Sequence, residues 1–154
     1  MAHKITFDVK KWSYQDYMDF MIALRDGNWA VAMPMVMRIL VAWDYDVPLS
    51  PTAYKKLPYP ALPEIAHTVS DSLEAFLNGL DLDAVEVDLG RWTMDDFLSY
   101  QQAARDRNIP RLEALLRQVG VNIDVRSDRL SFLDGALLSV AVSRAIKESF
   151  GAGN

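Results

Sequence analysis

A chain of 154 residues, 51% hydrophobic and 24% charged, has the makeup of one ordinary globular domain or two very small ones, not of a disordered chain. The absence of cysteine excludes disulfides and thiolate metal sites and fits a reducing compartment. A net charge of −5 argues against nucleic acid as the main partner, and the basic pairs Lys10-Lys11 and Lys55-Lys56 belong to no wider basic stripe.

The opening MAHKITFDVKK has no apolar core of signal-peptide length. The longest apolar run, residues 30–43, is 14 residues long. A bilayer-spanning helix needs about twenty. A soluble protein of the cytoplasm is expected.

In chain order, Ile5-Thr6-Phe7-Asp8-Val9 alternates with period two and predicts a short strand. Ser13, followed three residues later by Asp16, reads as a helix start, and Tyr17, Phe20, Met21 and Leu24 follow at helical spacing. Asp26-Gly27-Asn28 breaks that helix, and Asn28 caps the next. Pro34 lies deep enough in this second helix to distort or delay its start. Ser50-Pro51 begins a short helical turn to about Leu57, interrupted by Pro58 and Pro60. A long helix from about Ala61 to Asn78 carries the stripe Ile65, Val69, Leu73, Phe76 and Leu77 and stops at Gly79.

The pattern then recurs. Residues 8–28, DVKKWSYQDYMDFMIALRDGN, match residues 88–108, DLGRWTMDDFLSYQQAARDRN, at a constant offset of 80. Trp12 matches Trp92, Ser13 Thr93, Asp16 Asp96, Ala23 Ala103 and Asn28 Asn108. Val85-Glu86-Val87-Asp88-Leu89 predicts a second strand, and the two strands are candidates to pair with each other. Pro110 falls in the first turn of its helix, where proline is tolerated. A last helix from about Leu130 to Phe150 is ended by Gly151, and residues 151–154 read as a frayed end. The Pro-rich stretch 47–63 occurs only in the first copy. The expected fold is mainly α: two tandem pseudo-repeats of about three helices each, with a short β-strand at the start of each. Their ranges are 1–80, with the Pro-rich insertion, and 81–154, and the two are expected to pack as one compact unit.

Residues 30–43, AVAMPMVMRILVAW, carry a single charge, Arg38. Ala32, Met35, Val36 and Ile39 align with Leu112, Leu115, Leu116 and Val119 and form one helix face, the core face in both copies. On the other face Met33 and Met37 stand where the second copy has Glu113 and Arg117, an i, i+4 pair of the kind found on solvated surfaces. A helix apolar all round must be covered. The cover is either internal, from the second module or the Pro-rich insertion, or external, from a partner's apolar helix or another subunit. Methionine suits surfaces that accept varied apolar partners. Trp29 and Trp43 flank this segment and could frame a groove, where the second copy has Ile109 and Ile123. Trp29, Met33, Met37, Val41 and Trp43 are the candidate partner-binding residues.

Motifs of catalysis are lacking. There is no Gly-rich phosphate loop and no GxSxG. Glu64, His67 and Asp71 share a helix face, which reads as a polar surface and not as a metal site. Ser70-Asp71 and Ser127-Asp128 read as cap or surface residues, and Asp16, Asp26, Asp96 and Asp106 as caps and helix ends. Trp12 and Trp92 read as packing residues. No enzyme activity, cofactor or metal is expected.

The stretch from Trp12 through WDYDVPLSPTAYKKLP to FLNG at 76–79 resembles small bacteriophage tail assembly chaperones, on Trp43-Asp44, Pro48-Leu49-Ser50-Pro51 and Leu57-Pro58. The resemblance covers about the first 80 residues; in the second copy Ile123-Asp124 replaces Trp43-Asp44 and the Pro-Leu-Ser-Pro segment is absent. It implies a protein that keeps a helical tape measure protein soluble until tail assembly, with a protein partner and neither nucleic acid nor membrane. A homo-oligomer is compatible with it. The alternatives are a structural or adaptor subunit of a phage particle, and a small ligand-binding domain or enzyme with its pocket between the modules.

Overall fold

The structure is a computed structural model that describes residues 3–122 and 130–151. Among these residues it is mainly helical, with six α-helices and one two-stranded sheet. The helices are α1 (Tyr14–Arg25), α2 (Trp29–Ile39), α3 (Ala61–Asn78), α4 (Met94–Arg105), α5 (Ile109–Val119) and α6 (Phe132–Gly151); the strands are β1 (Ile5–Phe7) and β2 (Leu40–Trp43). No helix among the described residues is long and apolar enough to cross a membrane. The chain forms two compact units, one of Met1–Trp12 and Asp16–Gly79, the other of Ser13–Gln15 and Leu80–Asn154.

In the first unit the core gathers on Trp12, Phe20, Ala32, Val36, Ile39, Ile65 and Val69, all buried. The Trp12 ring lies 4.8 Å from that of Phe20, and its indole Nε1–H donates to the Met35 carbonyl at 2.9 Å. The bond answers a polar group that burial would otherwise leave unpaired. Asn28 caps α2 by accepting from the Val31 N–H.

Pro34 neither breaks nor delays α2, which runs unbroken through it. Pro34 and Ala30, four residues before it, are both exposed, so the carbonyl that loses its helical donor faces water. The other face of the helix, Ala32, Met33, Met35, Val36 and Ile39, is buried and holds it in place.

The apolar run does not stay helical to its end. At Leu40 the chain turns extended, and Leu40–Trp43 pairs antiparallel with β1, Ile5 opposite Trp43 and Thr6 opposite Ala42. The strand Ile5–Phe7 therefore finds its partner inside the same unit and not in residues 85–89. Leu40–Trp43, at the end of the apolar run, is nearer in sequence than residues 85–89, and the shorter loop costs somewhat less entropy to close.

In the second unit the strand expected at Val85–Leu89 shrinks to one bridge, Val87 opposite Gly120, before a 3-10 turn at Leu89–Arg91. Val121 N–H donates to Glu86 at 2.9 Å and Asp88 N–H to Val119 at 2.9 Å. Thr93 and Asp96 form a full capping box on α4, with bonds of 3.1 and 2.9 Å. Trp92 Nε1–H donates to the Leu115 carbonyl at 2.9 Å, and Asn108 caps α5 from the Arg111 N–H. Gly27 and Arg107, eighty residues apart, both hold positive φ, 66° and 56°. Glycine adopts that conformation without steric cost, whereas arginine does not. In the same unit Ser13 bridges Ser131, Tyr14 N–H donates to Leu130 at 3.1 Å, and Gly135 of α6 lies against the Tyr14 ring.

Glu113 and Arg117 correct the reading of that face as solvated. Glu113 is 3% exposed. Its carboxylate lies 3.8 Å from Arg117 and accepts from the Leu130 N–H at 3.3 Å. Ile123, Asp124, Ser127, Asp128 and residues 152–154 lie outside the described residues.

Candidate functional site

The first unit covers its own methionine face, and it does so with the Pro-rich segment. Leu49, Ser50 and Pro51 share an opening with Pro34, Met37, Arg38 and Leu40; Tyr54, Leu57, Pro58 and Tyr59 share another with Trp29, Ala30 and Met33. The segment thus runs alongside α2 in the opposite direction, later residues lying beside earlier ones. Proline suits this role: with its fixed φ and missing N–H it runs extended over a surface without asking for a ladder.

Of the two covers the sequence leaves open, the structure shows the internal one, from the Pro-rich insertion, over much of this face. Met33 is 5% exposed and Met37 half-buried. Two openings remain beside α2, and the one at its N-terminal end is a groove of about 290 Å³. Trp29 and Ala30 give one side, Tyr54, Leu57, Pro58 and Tyr59 another, and Ala61, Leu62 and Ile65 of α3 the rest, with Met33 among them. No lining residue is charged. Tyr59 is 77% exposed, an aromatic ring held up in solvent. The opening beside Met37 is about 260 Å³, and Arg38 in its wall pairs with Asp16 at 3.3 Å.

Of the candidate partner-binding residues, the structure brings Trp29 and Met33 together and puts Met37 in the second opening. Val41 is 46% exposed on β2 and lines neither opening. Trp43 does not frame a groove with Trp29. Its Nε1–H donates to the Val47 carbonyl at 2.8 Å, its ring stands edge-on to Tyr45, and it faces Ile5, Phe7, Val36 and Ile65. The cause is the strand: once Leu40–Trp43 leaves the helix, Trp43 belongs to the sheet.

Three of the four tryptophans spend their indole N–H on a backbone carbonyl inside the fold: Trp12, Trp43 and Trp92. Among the described residues the Trp29 indole has no hydrogen-bond partner. A half-buried ring at a groove with an unused donor can meet an acceptor on a bound segment.

The residues sequence reasoning missed are the far wall, Tyr54, Leu57 and Tyr59. Their signal was present as apolar and aromatic residues inside an insertion confined to one copy. Elsewhere in this unit Glu64 accepts from the His3 backbone N–H, from the Tyr45 hydroxyl at 2.9 Å and engages the His3 ring at 3.1 Å. His67 and Asp71, its expected face-mates, are exposed, and among the described residues no group of three His, Asp or Glu is placed to hold a metal ion.

These bonds, the His3 N–H first, hold the Glu64 carboxyl below the usual carboxylate range. Folding therefore favours its ionised form. That contribution is in place above the unfolded-state pKa and lost as pH falls through the lower folded-state value. Tyr45 ring resonances should report an acid transition with its midpoint below that of a free glutamate, absent in Glu64→Gln. A midpoint at the ordinary value contradicts the hold of these bonds on Glu64.

The second unit has its own apolar groove, about 270 Å³, lined by Leu89, Trp92, Met94, Phe97, Ile146 and Phe150 among others. Comparison with protein-family models, with curated proteins and with solved structures finds no match to this chain.

Proposed function

We infer that this protein is a non-enzymatic binding protein of the host cytoplasm that acts as a phage tail assembly chaperone: it masks apolar helical segments of a tape measure protein before assembly. The observation that carries the reading is the Trp29–Met33 groove, lined by apolar and aromatic residues, with an indole donor that has no acceptor among the described residues. Grooves of this kind take the apolar stripe of an amphipathic helix. The residues of the family resemblance support it. Leu57 and Pro58 form part of the groove wall, while Leu49, Ser50 and Pro51 cover Met37. The client contacts fall to Trp29 and Met33, with Tyr59 added and with Val41 and Trp43 serving the sheet.

The two units are two copies of one module, of which the first took on the binding role. The offset of 80 supports this: it relates Trp12 to Trp92, each bonded to a carbonyl 23 residues on, and the capping residue Asn28 to Asn108. In the first copy an added Pro-rich segment makes the wall that the second lacks.

Tyr59→Glu tests the reading without touching the core, because Tyr59 is exposed. Its thermal midpoint should stay near that of the parent, as surface changes do. Affinity for a tape measure helix fragment should fall about tenfold or more, since a charge replaces an aromatic anchor. Undiminished co-purification with that fragment contradicts the assignment.

A further inference from the structure

Two cations fall within the segment that walls the groove. Between Arg38 and Arg91 the chain carries nine carboxylates, and its Lys and Arg residues number only two, Lys55 and Lys56. Both fall in the 3-10 turn Ala53–Lys56, directly between the lining residues Tyr54 and Leu57, and both are exposed. Arg38 is already paired with Asp16. Neither lysine has a carboxylate partner among the described residues. An acidic protein thus carries, in the turn that walls its apolar groove, two ammonium groups with no carboxylate partner among the described residues, and the Trp29 indole N–H in the same groove has no acceptor among them.

We propose that the segment this groove receives is acidic as well as apolar: a partner helix whose apolar stripe enters beside Trp29 and Tyr59 and whose Asp or Glu residues meet Lys55 and Lys56. The proposal rests on the groove being the binding site and names the chemistry of its occupant. Apolar burial supplies affinity, and opposite charge at the rim selects the partner and sets its direction. The chain's own acidic-apolar stretch, LDLDAVEVDL at 80–89, is not free for this role. It is engaged within the second unit, where Val85 is buried, Val87 bridges Gly120 and the Glu86 N–H donates to Asn122.

Two labelled synthetic helices test it, identical in a leucine stripe at i, i+3, i+4 and i+7, one with Glu and one with Lys at the remaining positions. Anisotropy with the full chain should show the Glu helix binding about tenfold tighter at low salt, with the advantage shrinking as salt rises. Lys55→Glu with Lys56→Glu should reverse the preference. Equal binding of both helices, weakened for both by Tyr59→Glu, overturns the charge selection and leaves the groove assignment standing. Binding of neither overturns both. Concentration-dependent self-association lost in Tyr59→Glu makes a second copy the occupant and overturns the proposal.

Discussion

Arg117→Met lowers the stability of the second unit by about 3–5 kcal/mol, and adding Glu113→Met to it restores the loss. The wild-type pair is a poor one. Glu113 and Arg117 approach only to 3.8 Å, and Glu113 Oε1, Arg117 Nε and Arg117 Nη2 are buried without a hydrogen-bond partner among the described residues. Removing the guanidinium strands a carboxylate that is 3% exposed and holds one bond of 3.3 Å, from Leu130 N–H. Removing both charges removes both desolvation penalties. Methionine is the substitute the chain itself provides, because Met33 and Met37 hold the matching positions of α2. The double variant should equal the parent or exceed it by about 1–4 kcal/mol in urea unfolding. A double variant less stable than Arg117→Met alone contradicts this account of the pair.

Gly135→Ala is the second large effect, and its sign runs against helix propensity. Within a helix alanine is ordinarily favoured over glycine by about 0.5–1 kcal/mol. Here a Cβ on Gly135 would lie 2.3 Å from the Tyr14 Cγ and Cδ1 and 2.6 Å from its Cβ. The Tyr14 Cβ is fixed by its backbone, so no rotamer change clears the clash. That backbone is tied by the Tyr14–Leu130 bond and the Ser13–Ser131 bridge. Overpacking of this kind costs about 1–3 kcal/mol, or several degrees in Tm for a chain this size. Gly151→Ala on the same helix, with nothing within 4 Å, is the control and should leave Tm unchanged. A Gly135→Ala variant as stable as the control contradicts the packing of Tyr14 on α6.

Local chemistry made most of the helices legible. The long helix expected from Ala61 to Asn78 forms at those bounds, because proline, an apolar stripe and a terminal glycine mark it without help from distant residues. Asn28, Asn108 and the Thr93–Asp96 box cap the helices they were expected to cap. Leu40–Trp43 was not legible as strand: its apolar residues serve a helix or a strand equally, and β1 decided between them. Glu113 and Arg117 misled for a related reason. Opposite charges at i, i+4 have the same spacing on a wet face and inside a core, and burial is settled by what packs over them.

The groove was half legible. Trp29 and Met33 stood out by contrast with Ile109 and Glu113. The wall opposite them comes from residues 21 or more positions later in an irregular segment, and periodicity says nothing about where such a segment lies. Trp29 and Trp43 part for another reason: α2 ends at Ile39 and Leu40–Trp43 joins the sheet, where a continuous helix to residue 43 would have placed both on one element.

The four tryptophan side chains give the most direct measurement. Each indole N–H yields its own resonance in a ¹⁵N-labelled sample, and Trp12, Trp43 and Trp92 are tied to carbonyls inside the fold. Titration with the tape measure helix fragment should shift the Trp29 indole signal and the Met33 methyl signal while those of Trp12 and Trp92 stay in place. Binding that leaves the Trp29 signal unmoved contradicts the groove as the site.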